Sequence, residues 1–213
     1  MADTETLLPA QLHHRDYTLI YAPTQLRRQG MTPGFEQRWQ QSHTQILKIA
    51  QQSHGLADKG LTVNSLAETG DFQPHQDMTG ANLESLMATT TLPEQLALAP
   101  VLQRVLDRYF EKKAEGQQPH NGEIILILLD HEPTDRLAIA KQIVAASQKL
   151  DHRYELGIGW LQVGNDYITK GFLVTLDDNL RQKGAKFDIV DHKVIDQIST
   201  DNLMDFLMDV LQD

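Results

Sequence analysis

The sequence predicts a doubly wound α/β domain, a mostly parallel sheet with helices on both sides. Short β-branched and aromatic runs alternate with helical patterns of ten or more residues from Tyr17 to the C-terminal end. Parallel strands joined through helices produce that alternation. One run, Ile124-Ile125-Leu126-Ile127-Leu128-Leu129, is apolar without a break. Burial on both faces produces such a run, whereas a half-exposed strand alternates. The third observation is size: 213 residues with 40% hydrophobic content suffice for one sizeable core.

The elements follow in order. Residues 1–14 read as a short arm with Pro9 and the pair His13-His14, and residues 15–213 as the domain. The first strand, Tyr17 to Ala22, closes at Pro23,. A polar stretch with Gly30, Pro33 and Gly34 precedes a helix from Phe35 to about Ser53, with Phe35, Trp39, Ile46, Ile49 and Ala50 on one stripe,. Gly60 to Leu66 is a second strand, and a polar stretch with Gly70 and Pro74 follows. Residues 81–88 form a short helix, and about Leu96 to Lys113 a longer one. After the turn from Gly116 to Gly122 comes the central strand, Glu123 to Asp130. A helix over 134–149, a strand from Leu156 to Val163, and a helix over about 167–182 come next. Lys186 to Val190 is the last strand and Leu203 to Leu211 the last helix. No internal repeat or low-complexity tract interrupts them.

Bulk properties narrow the function. The formal net charge is −10, from 29 acidic and 19 basic side chains, and only Arg27-Arg28 and Lys112-Lys113 form tight basic pairs. Displacing counterions from nucleic acid needs a basic face, so nucleic acid is not an expected partner. No run approaches the roughly 18 apolar residues that span a bilayer, so no membrane insertion is expected. The absence of cysteine fits a reducing cytoplasm and excludes a thiol nucleophile. Met1 to Glu5 lacks the pattern of a signal peptide.

In a sheet of this kind ligands bind at the carboxyl ends of the strands, where strand order reverses. The segment after the first strand, the region from Thr89 to Leu96, and Asp130-His131-Glu132-Pro133-Thr134-Asp135 would converge there. Asp130 ends a wholly apolar strand. Two readings stand for it: a carboxylate that serves a site, or one that caps the next helix or accepts turn amides. Other apparent motifs carry less. Pro133 breaks the helix that a zincin-like His131-Glu132 would need. Gly157-Ile158-Gly159-Trp160 lies inside a strand, so it is not a phosphate cradle. Trp39 and Trp160 read as core residues.

Several segments resemble bacterial, particularly cyanobacterial, von Willebrand factor A (vWA) proteins. They are Arg15 to Ile20, Leu98 to Leu102 with Tyr109-Phe110, Asn121-Gly122-Glu123, and Asp130-His131-Glu132-Pro133 with Asp135. Gln162 to Asp166, Leu176-Asp177-Asp178 and Gly184 to Asp191 are similar to the same proteins' distal half. The resemblance implies a Rossmann-like, mostly parallel sheet of six strands. It also implies a metal-ion-dependent adhesion site: an Asp-x-Ser-x-Ser motif after the first strand, a threonine from a later loop, and an aspartate after the fourth strand.

This chain departs from that pattern. The first motif reads Ala22-Pro23-Thr24-Gln25-Leu26, with Ala22 in place of the aspartate and Leu26 in place of the second serine. Thr24 keeps a hydroxyl. Either Thr90 or Leu96 stands at the threonine position, depending on the alignment, and Asp130 keeps the carboxylate. Mg²⁺ needs several oxygen ligands in near-octahedral array, so the expectation is a degenerate site with no bound metal and no cofactor. Arg27 or Arg28 would then neutralise Asp130; solvated arginines and a capping aspartate are the equal alternative.

The expected function is a non-enzymatic protein-interaction module, a subunit or adaptor of a cytoplasmic assembly, with an unidentified protein partner. Its candidate contacts are Gln25, Leu26, Arg27, Arg28, Met31, Asp130, His131 and Glu132. The alternative is a metal-dependent binder that uses a residual site at Asp130. A hydrolase built on Asp130 and a histidine ranks last, because no base–nucleophile pair is visible.

Overall fold

The computed structural model describes residues 10–24, 35–57, 59–198 and 202–212. Its elements are β1 (Asp16–Ala22), α1 (Phe35–Leu56), β2 (Leu61–Leu66), β3 (Phe72–Met78), α2 (Gly80–Thr89), α3 (Ala99–Ala114), β4 (Glu123–Leu129), α4 (Arg136–Gln148), β5 (Leu156–Gln162), α5 (Tyr167–Asn179), β6 (Val190–Val194) and α6 (Leu203–Gln212). The six strands form one sheet in the order β3-β2-β1-β4-β5-β6. Every pairing is parallel except that of β2 with β3.

Two apolar layers sandwich the sheet. On one face α3, α4 and α5 pack Leu102, Val105, Ile139, Ile143, Leu173 and Leu176 against Ile20, Ile125, Ile127, Ile158 and Trp160. On the other, α1, α2 and α6 pack Ile46, Ile49, Leu83, Phe206 and Val210 against Leu19, Tyr21, Leu126 and Leu128. Every residue of β4 is buried, as its unbroken apolar run demands, because both alternating sets of side chains meet a helix layer.

Two glycines let α6 settle on β5. A Cβ at Gly157 would lie 2.7 Å from Val210 Cγ1, and one at Gly159 would lie 2.9 Å from Leu126 Cδ2 and 3.0 Å from Phe206 Cζ. Any side chain there would lift the helix off the sheet. Trp160, the residue after Gly159 and on the opposite face of β5, is fully buried and meets Phe172 edge-on at 6.0 Å.

The strand β3 corrects the sequence reading, which took residues after Leu66 as a polar stretch. Only Phe72 and Met78 at its ends are buried, so the segment carries no core pattern. Pro74 lacks a ladder donor, which an edge strand tolerates. The last strand is also displaced: it runs from Val190 to Val194 instead of Lys186 to Val190. It too is an edge, and its polar Asp191-His192-Lys193 hid it. Helix α3 starts at Ala99, three residues later than the periodicity suggested, with Pro100 in its first turn, where the missing N–H costs nothing.

Residues from Ala10 onward join the body of the domain. Leu12 is buried among α1 and α6 side chains, and Asn121 Nδ2 donates to the carbonyls of Ala10 and His13. The amino edge of the sheet is closed by a polar network. Fully buried Glu123 accepts from Arg108 Nη2 at 2.7 Å and from Thr18 Oγ1 at 2.6 Å. That edge is occupied by structure, which leaves the carboxyl edge for a site.

Candidate functional site

Strand order reverses between β1 and β4: β1 leads outward to β2, and β4 outward to β5. The last residues paired there are Ala22 and Leu129, so the residues just beyond them face each other across the switch point. They are Thr24 and Asp130. The Thr24 N–H donates to both carboxylate oxygens of Asp130, at 3.1 Å each. Asp130 is 5% exposed and Thr24 2% exposed. Burial pushes the Asp130 carboxyl up to about 6, against the opposing pull of its hydrogen bonds with Thr24,. Thr24 Oγ1 is buried without a hydrogen-bond partner of ordinary geometry among the described residues.

Of the two positions weighed for the threonine, Leu96 adjoins this site. Its carbonyl accepts the Thr134 N–H at 2.9 Å, which ties it to the loop after β4. Thr90 caps the end of α2, and its hydroxyl donates back to the Leu86 carbonyl at 2.7 Å. Asp135, in the same loop as Asp130, accepts the N–H groups of Leu98 and Ala99 at 3.0 and 2.8 Å. It thus caps α3 from outside that helix, satisfying donors that no residue of α3 serves. His131 and Glu132 are half-buried, and Glu132 pairs with Arg136 at 2.8 Å, a surface ion pair of little energetic consequence. Gln25, Leu26, Arg27, Arg28 and Met31 lie outside the described residues, so the partner seen for Asp130 is the Thr24 amide, the turn-amide reading of this aspartate.

Next to Asp130 along the carboxyl edge, β5 ends in fully buried Gln162, whose Nε2 donates to the Asp166 carbonyl at 3.0 Å. Asp166 caps α5 by accepting the Thr169 N–H and hydroxyl, both at 2.7 Å. Around these polar groups the edge is apolar and open. Leu137, Tyr167 and Ile168 are 79%, 83% and 60% exposed. They occupy the second position of α4 and the first two of α5, helices that leave the ends of adjacent strands on the same side of the sheet. Sequence reasoning missed them because helical periodicity assigns apolar residues to the core, and only the orientation of each helix shows otherwise.

Solved structures share this fold. The manganese-loaded TRAP protein of Plasmodium vivax, a vWA-domain protein, aligns with a TM-score of 0.52 at 9% identity, covering 86% of this chain and 70% of that one. The fold is vWA-like. Proximal thread matrix protein 1 of the mussel byssus, a vWA-containing protein, aligns with a TM-score of 0.50 at 10% identity. The alignment covers 93% of this chain and 48% of that one, so this chain spans about half of the mussel protein's length. No protein-family model and no curated protein matches the sequence.

The resemblance seen in the sequence implies a metal beside Asp130, and the donors decide whether the residues fit one. At the switch point the described residues supply one carboxylate, Asp130, and one hydroxyl, Thr24. Ala22 ends β1 with no ligand atom, and Leu96 brings an apolar side chain. Mg²⁺ and Mn²⁺ need more oxygens than that from a protein before they release water. The described donor set does not fit such an ion.

Proposed function

We propose that this chain is a non-enzymatic protein-interaction module, an adaptor or subunit of an intracellular assembly, that captures its partner directly through the carboxyl edge of the sheet. The exposed apolar residues Leu137, Tyr167 and Ile168, at the starts of α4 and α5 on the same edge of the sheet as Asp130, carry this reading. Large apolar side chains so fully open to water suit a surface covered by a partner, and tyrosine with aliphatic neighbours is a frequent interface composition. Asp130 then acts as a structural acceptor that fixes the loop after β1 through Thr24. The loss of metal-ligand types at Ala22, Leu26 and Leu96 supports metal-independent binding.

The test is affinity purification of the full chain from its own cell extract, followed by mass spectrometry. A triple variant, Leu137→Ser, Tyr167→Ser and Ile168→Ser, is compared with the parent. All three residues are exposed, so folding should survive, which circular dichroism checks. Loss of the specific interactors supports the reading. Retention of all of them at parental affinity refutes it.

The second reading, a metal-dependent binder, is favoured by one observation: the buried Thr24 hydroxyl beside Asp130 has no hydrogen-bond partner of ordinary geometry among the described residues. Titration calorimetry separates the two. We expect no saturable heat from Mg²⁺ or Mn²⁺ at this site; a tight site abolished by Asp130→Ala establishes the alternative.

A further inference from the structure

We infer that Asp177, Asp191 and His192 form a binding site for a divalent transition metal of the zinc class, distinct from the switch point and clamping the edge strand β6 to α5. Among the described residues this is the one place where three potential ligand atoms converge: a carboxylate oxygen of each aspartate and an imidazole nitrogen lie within 4.8 Å of one another. Asp177 comes from the last turn of α5, and Asp191 and His192 are consecutive in β6. His192 Nδ1 already lies 2.7 Å from Asp177 Oδ2. Asp191 Oδ1 accepts the His192 backbone N–H at 2.7 Å, whereas Asp191 Oδ2, a buried atom of a half-buried residue, has no hydrogen-bond partner among the described residues.

That orphaned oxygen is the independent observation that asks for a ligand. A buried carboxylate oxygen without a donor is costly, and a second carboxylate beside it adds repulsion. The nearby cation, Lys193, lies 3.1 Å from Asp209 Oδ2. A divalent ion between Asp191, Asp177 and His192 would neutralise both aspartates and occupy the orphan. It would also sit at the C-terminal end of α5, where the helix dipole favours positive charge.

The donor types select the metal. One imidazole nitrogen and two carboxylates suit zinc-class ions, while Mg²⁺ and Ca²⁺ prefer all-oxygen sets. Zinc–ligand bonds of about 2.0–2.2 Å set ligand atoms roughly 3.3 Å apart in a tetrahedron. The pair at 2.7 Å would therefore open slightly and the third ligand close in. The His192 and Asp177 side chains are 17% and 14% exposed, which leaves a fourth position for water. Binding would pin an edge strand, whose free backbone groups otherwise invite pairing with another chain.

The experiment is calorimetric titration of the full, chelator-treated chain with Zn²⁺ at pH 7.5, alongside Mg²⁺. The expected result is one saturable Zn²⁺ site, a raised melting temperature with Zn²⁺, and no saturable Mg²⁺ binding. His192→Ala, His192→Gln and Asp191→Asn should each weaken Zn²⁺ binding at least tenfold. Two histidine variants guard against misfolding of one, and circular dichroism confirms the fold. Co²⁺ should give the visible absorption of tetrahedral N/O coordination in the parent and lose it in the variants. Absence of a Zn²⁺ site in the parent overturns the inference. So does unchanged affinity in the folded His192 and Asp191 variants, which would assign the metal to other histidines.

Discussion

The close approach of α6 to β5 makes a prediction with a worked magnitude. Leu126 is fully buried, and its Cδ2 lies 2.9 Å from where a Cβ on Gly159 would stand. Leu126→Ala removes three carbons, about 2.4 kcal/mol of transfer energy at about 0.8 kcal/mol each. The cavity left behind brings the total to about 3–5 kcal/mol. Gly159→Ala alone forces a methyl against Leu126, Phe206 and Val210 Cγ2, all at 2.9–3.0 Å, and should cost about 1–3 kcal/mol by overpacking. The double variant relieves one of those clashes and fills part of the cavity. Its destabilisation should fall short of the sum of the single effects by about 1 kcal/mol or more, a coupling that residues in contact show. Urea unfolding of the parent and three variants, followed by circular dichroism, measures the cycle. Strict additivity would refute the packing of Leu126 against Gly159 beneath α6, as would a Leu126→Ala variant of parental midpoint.

Two further perturbations test the carboxyl edge. The Asp130 carboxyl is raised from 3.8 to about 6 by burial, so the folded state holds the proton longer than the unfolded chain. Its contribution to stability therefore falls as pH rises from about 4 to 6, and the penalty is constant above that. With about 1.36 kcal/mol per pKa unit, the penalty is on the order of 3 kcal/mol. Asp130→Asn removes it and keeps a carbonyl for the Thr24 amide. The stability of that variant relative to the parent should rise between pH 4 and pH 7 in urea titrations; parallel profiles would contradict the assignment. Asp135→Ala strips the cap from Leu98 and Ala99 and should cost about 1–2 kcal/mol, read as a lower urea midpoint. An unchanged midpoint would mean that water replaces the carboxylate without loss.

The fold class and most of the elements were legible in the residues alone. The unbroken apolar run of β4, the periodic stripe of α3 and the strand–helix alternation report burial directly, because each residue's partition between water and core is written in its side chain. Asp130 stood out for the same reason, as a charge at the end of an apolar strand, and of the two readings open to it the structure shows the acceptor of a turn amide. The edge strands were not legible. Neither β3 nor β6 buries enough side chain to leave a pattern, and what holds them is backbone pairing with β2 and β5, to which any residue contributes alike. Which helix ends face water depends on how the helices are set against the sheet. Leu137, Tyr167 and Ile168 look like core residues until α4 and α5 are seen to start at the open end of the sheet. The meeting of Asp177 with Asp191 and His192 was likewise decided in three dimensions, since a helix end and an edge strand come together only when the crossover between them is closed.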